Sequence, residues 1–561
     1  MTSLWAESAV QMLVPGDAGV VYGGSSLPCF PAESLVADWI FDASAPVLSS
    51  PNIADIDGDS VWDIVLTTYG KGPDPYSSGY VYVLDTKGDA LPGWPKQTSA
   101  PFPASAVVGD IDGDGDAELV AGDWSSAYVW NGDGSLLPGW PKWVGTYVTP
   151  SLADLDKDGD LEIIYCGTGN RLYVWQADGS SMPGWPFASP ELVGSPAVAD
   201  IDNDGTLEII AATYRGPVGP DPFQVYAWET DGSVVPGFPV STPGVNKSAP
   251  AIGDIDNDDS LEIVVASYHT SNLDYIYVLD SQGNIELGWP VRANYVRLSS
   301  PALGDLDGDD DLEVLIGGYD PARHKEQVFA YHHDGASVNG WPVVLDHPGA
   351  AGNINSSIII ADVDGTHPDY ETYWPVYKRD FSGTGLLPPG GIPFNEPEIL
   401  IKAVDHIYAL HPDGSLVSGF PYFLDDESHT GTYSPSPAVA DMDGDGGAEL
   451  VFTSCIGKLA FFDYEPVGVS EEVVPARSRG HALVRVRPNP FSSFTMIDSG
   501  DDEDGGLEIY DVSGRRVAQF SESHVRWHGD DAWGRQVPGG IYFVVPSKRT
   551  GSQSAKIVLL R

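Results

Sequence analysis

The chain has 561 residues, 42% of them hydrophobic, and a formal net charge of −53, so it can bury large cores but presents a surface that rejects nucleic acid and anionic membrane. The acid is confined to the front: residues from 475 onward carry 12 Lys+Arg against 10 Asp+Glu, which leaves −55 on the residues before them. Cys29, Cys166 and Cys455 are too few and too scattered for a disulfide framework or a cysteine metal site, and no apolar run reaches the ~18 residues of a membrane span.

Residues 1–35 show no repeat and no periodicity and are left as an unassigned N-terminal extension. The first basic residue is Lys71, so the charged start of a secretory signal is missing. Acidic loops that bind a cation only in the millimolar range are of most use outside the cytosol. The chain is therefore read as secreted or held at a cell surface, the downstream part of a longer precursor.

From residue 36 to 467 one unit recurs. Its mark is a loop with carboxylates at positions 1, 3, 5 and 9. Four copies keep Gly at position 6: Asp110, Asp112, Asp114, Glu118; Asp154, Asp156, Asp158, Glu162; Asp200, Asp202, Asp204, Glu208; and Asp441, Asp443, Asp445, Glu449. Three replace that Gly with Ser60, Asp259 or Asp310: Asp55, Asp57, Asp59, Asp63; Asp254, Asp256, Asp258, Glu262; and Asp305, Asp307, Asp309, Glu313. An eighth begins at Asp362 and Asp364 and breaks into an insertion of some thirty residues before Glu398. Four carboxylates within nine residues repel one another unless a cation sits among them, and hard oxygen donors in a flexible loop suit Ca2+ better than magnesium or zinc. About seven Ca2+ sites are expected.

Around each loop lie four runs of four to six residues rich in Val, Ile, Tyr and Trp, bounded by Gly, Pro and Asp, which reads as strands. In the third copy the runs are Thr149–Asp154, which leads into the loop, Leu161–Tyr165, Leu172–Trp175 and a fourth opened by Pro183-Gly184-Trp185-Pro186. Four strands per unit, repeated, predict blades of an all-β propeller. Loop counting predicts eight blades, with seven as the alternative. The last unit lacks a fourth strand, and Ala37–Phe41 supplies one at the other end, so an N-terminal strand is expected to latch the ring.

Residues 36–467 resemble the FG-GAP or VCBS repeats, the calcium-loop propeller units of integrin alpha subunits and many bacterial surface proteins. The Asp-x-Asp-x-Asp-Gly-x-x-Glu loops and the lead-ins Ser195-Pro196, Ser300-Pro301 and Ser436-Pro437 carry the resemblance. It implies that the loop carboxylates are side-chain calcium ligands, with a carbonyl near Asp160 completing the shell in the third copy.

The insertion in the broken loop at Asp362 holds Tyr370, Tyr373, Trp374, Tyr377, Lys378 and Arg379, candidates for a ligand platform. Residues 468–482 read as a linker. Residues 483–561 change character: Val484–Phe491, the hairpin Leu507–Val517, Trp527–Asp530, Ile541–Phe543 and Lys556–Leu560 are short strands that suit a small β-sandwich. In order and spacing they resemble the FlgD-like immunoglobulin fold and the C-terminal sorting domains of type IX secretion substrates, which implies an export or anchoring tag.

No nucleophile elbow, metalloprotease helix, Walker loop or cysteine pair is present. His324, His332, His333 and His347 read as scattered surface histidines. No residue is assigned a catalytic role. The expected function is adhesion, or binding of an extracellular polysaccharide or surface protein, by a monomer. The alternatives are a polysaccharide lyase on the same scaffold and the non-catalytic part of a larger secreted enzyme.

Overall fold

The chain divides into two compact units, residues 1–467 and 468–561. The structure, a computed structural model, describes residues 37–464 of the first unit apart from 60, 71–77, 190–191, 215–222, 245–247, 269–273, 297–298, 310, 346–353, 355, 362–396, 404–405, 418, 424–434, 441 and 443–447; of the second unit it describes strands and short stretches within 485–559. Residues 1–35, the linker, Asp441, Asp443, Asp445 and the six candidate platform residues of the insertion lie outside the described residues.

The first unit is an eight-bladed β-propeller, and every blade is an antiparallel sheet. Blade three shows the plan: Ser151–Ala153, Glu162–Gly167, Arg171–Trp175 and Phe187–Ala188 run inner to outer. Blade two departs slightly, its outer strand being reduced to one bridge between Ala127 and Lys142. Inner strands abut one another from blade one to blade seven, and Asn52–Ala54 of blade one abuts Ala438–Ala440 of blade eight. Blade eight takes its outer strand from the N-terminal side, where Trp39–Asp42 pairs with Lys458–Tyr464. The expected latch is therefore formed, and eight blades rather than seven close the ring.

The second strand of a blade is buried on both faces rather than on one, as Glu162–Gly167 is at every residue, whereas outer strands alternate, as Trp39–Asp42 does. Eight hydrophobic clusters result, each drawn from two adjacent blades, such as Ile164, Val174 and Trp185 of blade three with Ile209 and Trp228 of blade four. The stability of a repeat array is a sum of what each repeat contributes and what such nearest-neighbour interfaces add.

Two polar devices key neighbouring blades. The indole N–H of each Gly-Trp-Pro tryptophan donates to a backbone carbonyl in the next blade: Trp94 to Gly132 (2.9 Å), Trp140 to Ala177 (2.8 Å), Trp185 to Thr230 (2.8 Å), Trp289 to His333 (2.7 Å) and Trp341 to Pro412 (2.9 Å). Trp39 makes the same bond from blade eight to Thr86 of blade one (2.8 Å). The Trp–Pro and Phe–Pro bonds of all seven Gly-Trp-Pro and Gly-Phe-Pro motifs are cis. Nearer the axis the lead-in hydroxyls do the second job. Ser50 N–H donates to Ser105 Oγ, Ser105 to Thr149 Oγ1, Ala249 to Ser300 Oγ, Ser357 to Ser436 Oγ and, across the closure, Ser436 to Ser50 Oγ.

In the second unit Arg485–Arg487, Thr495–Asp498 and His524–Trp527 form one sheet, and Arg516–Phe520, Leu507–Asp511, Gly540–Pro546 and Ala555–Leu559 form another. The predicted hairpin pairs as expected, Leu507 opposite Phe520. Thr495–Asp498 is a strand the sequence pattern did not single out. Leu507, Ile509 and Val544 of one sheet share a core with Val525 and Trp527 of the other.

Candidate metal centre

The acidic loops join the inner strand of each blade to its second strand, and strand pairing explains their shape. In blade three Ala153 pairs with Glu162, so the loop must reverse the chain between Asp154 and Leu161. That reversal puts position 4 as well as position 6 in the left-handed region. Position 6 has φ of 94° at Gly115, 101° at Gly159, 88° at Gly205 and 70° at Asp259. Position 4, unremarked in the sequence, has φ of 64° at Lys157, 59° at Asn203 and 56° at Asn257, and Gly fills it in blades one, two and six. Asn and Gly tolerate this geometry at low cost; Lys pays more.

The carboxylates divide the work. Position 1 organises the loop: Asp200 accepts from the amides of Asp204 (3.0 Å) and Gly205 (2.8 Å), and Asp254 from Asp258 and Asp259 (3.0 Å each). Position 5 accepts from the amide of position 7, as Asp158 does from Asp160 (3.0 Å), Asp114 from Asp116 (3.0 Å), Asp309 from Asp311 (3.2 Å) and Asp59 from Val61 (2.8 Å). Position 9 is buried on the second strand and accepts with Oε2 (Oδ2 in Asp63) from the amide of position 2. The bonds are Asp63 from Ile56 (3.0 Å), Glu118 from Ile111 (2.9 Å), Glu162 from Leu155 (2.7 Å), Glu208 from Ile201 (2.8 Å), Glu262 from Ile255 (2.9 Å), Glu313 from Leu306 (2.7 Å) and Glu449 from Met442.

Position 9 also meets positions 1 and 3. One ligand atom from each of Asp55, Asp57 and Asp63 lies within 4.8 Å of the others, and the same holds for Asp110, Asp112 and Glu118, for Asp154, Asp156 and Glu162, and for Asp200, Asp202 and Glu208. Glu208 Oε1, Asp110 Oδ1 and Asp112 Oδ1 are buried atoms with no hydrogen-bond partner. A buried carboxylate oxygen left without a donor costs ~1–3 kcal/mol or more, and a cation among these groups would remove that cost. Burial, with the neighbouring carboxylates adding, pushes Asp63, Glu118, Glu162, Glu262 and Glu313 up to about 7 and Glu208 up to about 8. Asp57, Asp112 and Asp256 are raised by the same causes. These acidic clusters can hold metal ions, and the all-oxygen donor set suits a hard one.

Residues 55–121, 110–165 and 154–211 each match the FG-GAP-like repeat family. These segments are FG-GAP-like repeats. No curated protein matches the chain. Several solved structures are similar in fold. The biofilm matrix protein Bap1 of V. cholerae is 14% identical over 77% of this chain and 91% of that one, with a TM-score of 0.39. The computationally designed Ika8 protein is 12% identical over 77% and 99% with a TM-score of 0.45, and the Dos1 propeller 11% identical over 77% and 95% with a TM-score of 0.45. These likenesses carry no functional assignment.

In the sixth repeat the structure corrects one reading. His332 is not a scattered surface histidine: its Nδ1 lies 2.9 Å from Glu313 Oε1, so it faces the acidic loop. His411 stands likewise 3.4 Å from buried Glu398 in the seventh repeat, whose loop carries the insertion. His333 pairs with Asp311 at 2.9 Å, and His324 meets the Tyr319 hydroxyl at 2.9 Å. Sequence reasoning missed His332 and His411 because the strand register that sets them opposite the glutamate is invisible until the third strand is aligned with the second.

Proposed function

We propose that this protein is a calcium-stapled propeller that acts outside the cell as an adhesion or binding module, with the C-terminal unit as its export or anchoring tag. The observation that carries the calcium reading is the buried position-9 carboxylate, repeated blade after blade beside two further carboxylates and, in the fourth repeat, with an oxygen that no protein donor reaches. Asp55, Asp57 and Asp63, and their counterparts in the other loops, would hold the ion. Bound there, calcium would supply the positive charge that lets these carboxylates share one cage, and so would hold the loop that sets inner and second strands in register.

Staples that recur in every repeat leave specificity to what does not recur, namely connections such as the insertion between Asp364 and Glu398. A surface this acidic disfavours polyanions and favours neutral polysaccharide or a basic protein face. The two sheets of residues 485–559 with a shared core support a FlgD-like sandwich as the tag.

The test is capture on an array of glycans and matrix proteins, with calcium and then with chelator. Calcium-dependent capture of one ligand class, lost on deleting residues 367–396 from a protein that still folds, is the expected result. Equal capture by the deletion variant would move the site off the insertion, and silence on the whole array would remove the binding-module reading. A captured polysaccharide incubated with the protein and then sized would reveal any cleavage.

A further inference from the structure

Across the blade from each position-9 carboxylate stands one residue of the third strand's end. Glu118 pairs with Asn131, and one step beyond the paired Ile64–Leu84, Ile163–Trp175, Ile209–Trp228 and Ile263–Leu279 stand Asp85, Gln176, Glu229 and Asp280. All of these offer oxygen. Gln176 shows the reach of the position: its amide donates to Asp156 Oδ2 at 3.0 Å. The sixth and seventh repeats break the pattern: one step beyond Ile399–Leu410, Glu398 faces His411, and in the sixth repeat a histidine meets two carboxylates of a described loop. One step beyond Val314–Tyr331, Glu313 faces His332.

We propose that the sixth repeat is a separate metal site of different chemistry, in which His332 Nδ1, Glu313 and Asp307 bind a divalent transition cation of the zinc class rather than calcium. This rests on the reading of the loops as metal sites but not on calcium occupying the others. His332 Nδ1 lies 2.9 Å from Glu313 Oε1 and 4.0 Å from Asp307 Oδ2, and the three ligand atoms lie within 4.8 Å of one another. Donors bound at about 2.0–2.1 Å around one tetrahedral zinc ion stand about 3.4 Å apart, so the observed separations bracket what a shared ion needs. Glu313 is fully buried, and its Oε2 is spent on the Leu306 amide (2.7 Å), which leaves Oε1 to the cluster. His332 is about one-quarter exposed, so the site keeps an opening to solvent. With its proton on Nε2, the imidazole presents the Nδ1 lone pair to the ion. Imidazole beside carboxylates suits zinc, iron or nickel, whereas calcium takes oxygen almost without exception. His333 does not compete, because it is turned to Asp311.

The full chain, stripped of metal and reloaded with excess calcium, is titrated with Zn2+ against a chromophoric chelator, and with Co2+ read by its visible absorption. The expected result is one zinc equivalent that millimolar calcium does not displace, and a nitrogen-ligated cobalt spectrum. Both are lost in His332→Gln, whose amide can still reach Glu313, and kept in His333→Gln and His411→Gln. Zinc retained by His332→Gln, or displaced from the wild type by calcium, overturns the proposal. Calcium counted by elemental analysis in the same samples separates the two ideas. No calcium anywhere with zinc still held through His332 would remove the calcium reading alone; a full calcium complement with no such zinc would remove this one alone.

Discussion

The position-9 carboxylates make the propeller's stability depend on pH and metal in opposite senses. Without metal, the folded chain holds protons on groups such as Glu162 and Glu208 up to about 7 and 8, whereas the unfolded chain has released them by ~4.5. The folded state then binds more protons across that interval, so its stability falls as pH rises through it. Chelated protein should melt at a lower temperature at pH 8 than at pH 5; a higher melt at pH 8 would contradict the burial argument. On the proposed reading calcium would require the ionised form, so the increment it adds should grow over the same range. Glu162→Gln separates the two effects. Gln keeps an acceptor for Leu155 N–H but carries no charge. Chelated variant at pH 8 should gain on the order of 2 kcal/mol over chelated wild type and lose one calcium equivalent by elemental analysis.

At the scale of the element, the Gly-Trp-Pro corner is where one blade grips the next. Gly184 has φ of 90°, and a Cβ there would lie 1.8 Å from Asp231 O of the following blade. Gly205 has nearly the same φ, 88°, and nothing within 4 Å of its Cβ. Gly205→Ala should therefore cost only the ~1–2 kcal/mol of left-handed strain, while Gly184→Ala adds an interface clash of ~1–3 kcal/mol. Equal losses in urea melts would mean that the corner does not set the blade spacing. The indole bond is a smaller, separate quantity. Trp185→Phe removes the donor to Thr230 O and should cost ~1 kcal/mol. Phe238 and Phe420 occupy the same corner in their own repeats, so the ring alone suffices to pack it.

For the propeller as a whole, closure is the deciding event. Trp39 stacks on Phe461 with ring centroids 5.0 Å apart while its N–H bonds Thr86 of blade one, so one side chain ties blade eight to both its own strand and its neighbour. Removing residues 37–42 leaves Lys458–Tyr464 as an open edge between apolar faces. The truncated protein should unfold over a broader, lower transition and self-associate, read by calorimetry and light scattering. A monomer with an unchanged melt would show that the latch is dispensable.

The repeat, the strands, the acidic loops and the latch were legible in the sequence because each rests on local pattern: carboxylates at fixed spacing, short β-branched runs, and the match of Trp39–Asp55 spacing to Trp94–Asp110. Thr495–Asp498 escaped that reading because its run offers no alternation to distinguish it from the loop before it. Eight blades rather than seven had to await strand pairing, since a count of loops does not say which strand closes the last sheet. The lead-in serines were visible as a motif, yet their role is an inter-blade bond from Ser436 to Ser50, 386 residues apart in sequence. The site itself divides the same way. Positions 1, 3, 5 and 9 belong to the loop's own sequence, but position 4 acquires its left-handed turn from strand pairing, and His332 reaches Glu313 only through the register of the third strand on the second. Local spacing determined which residues can meet an ion; the antiparallel register decided what stands opposite them.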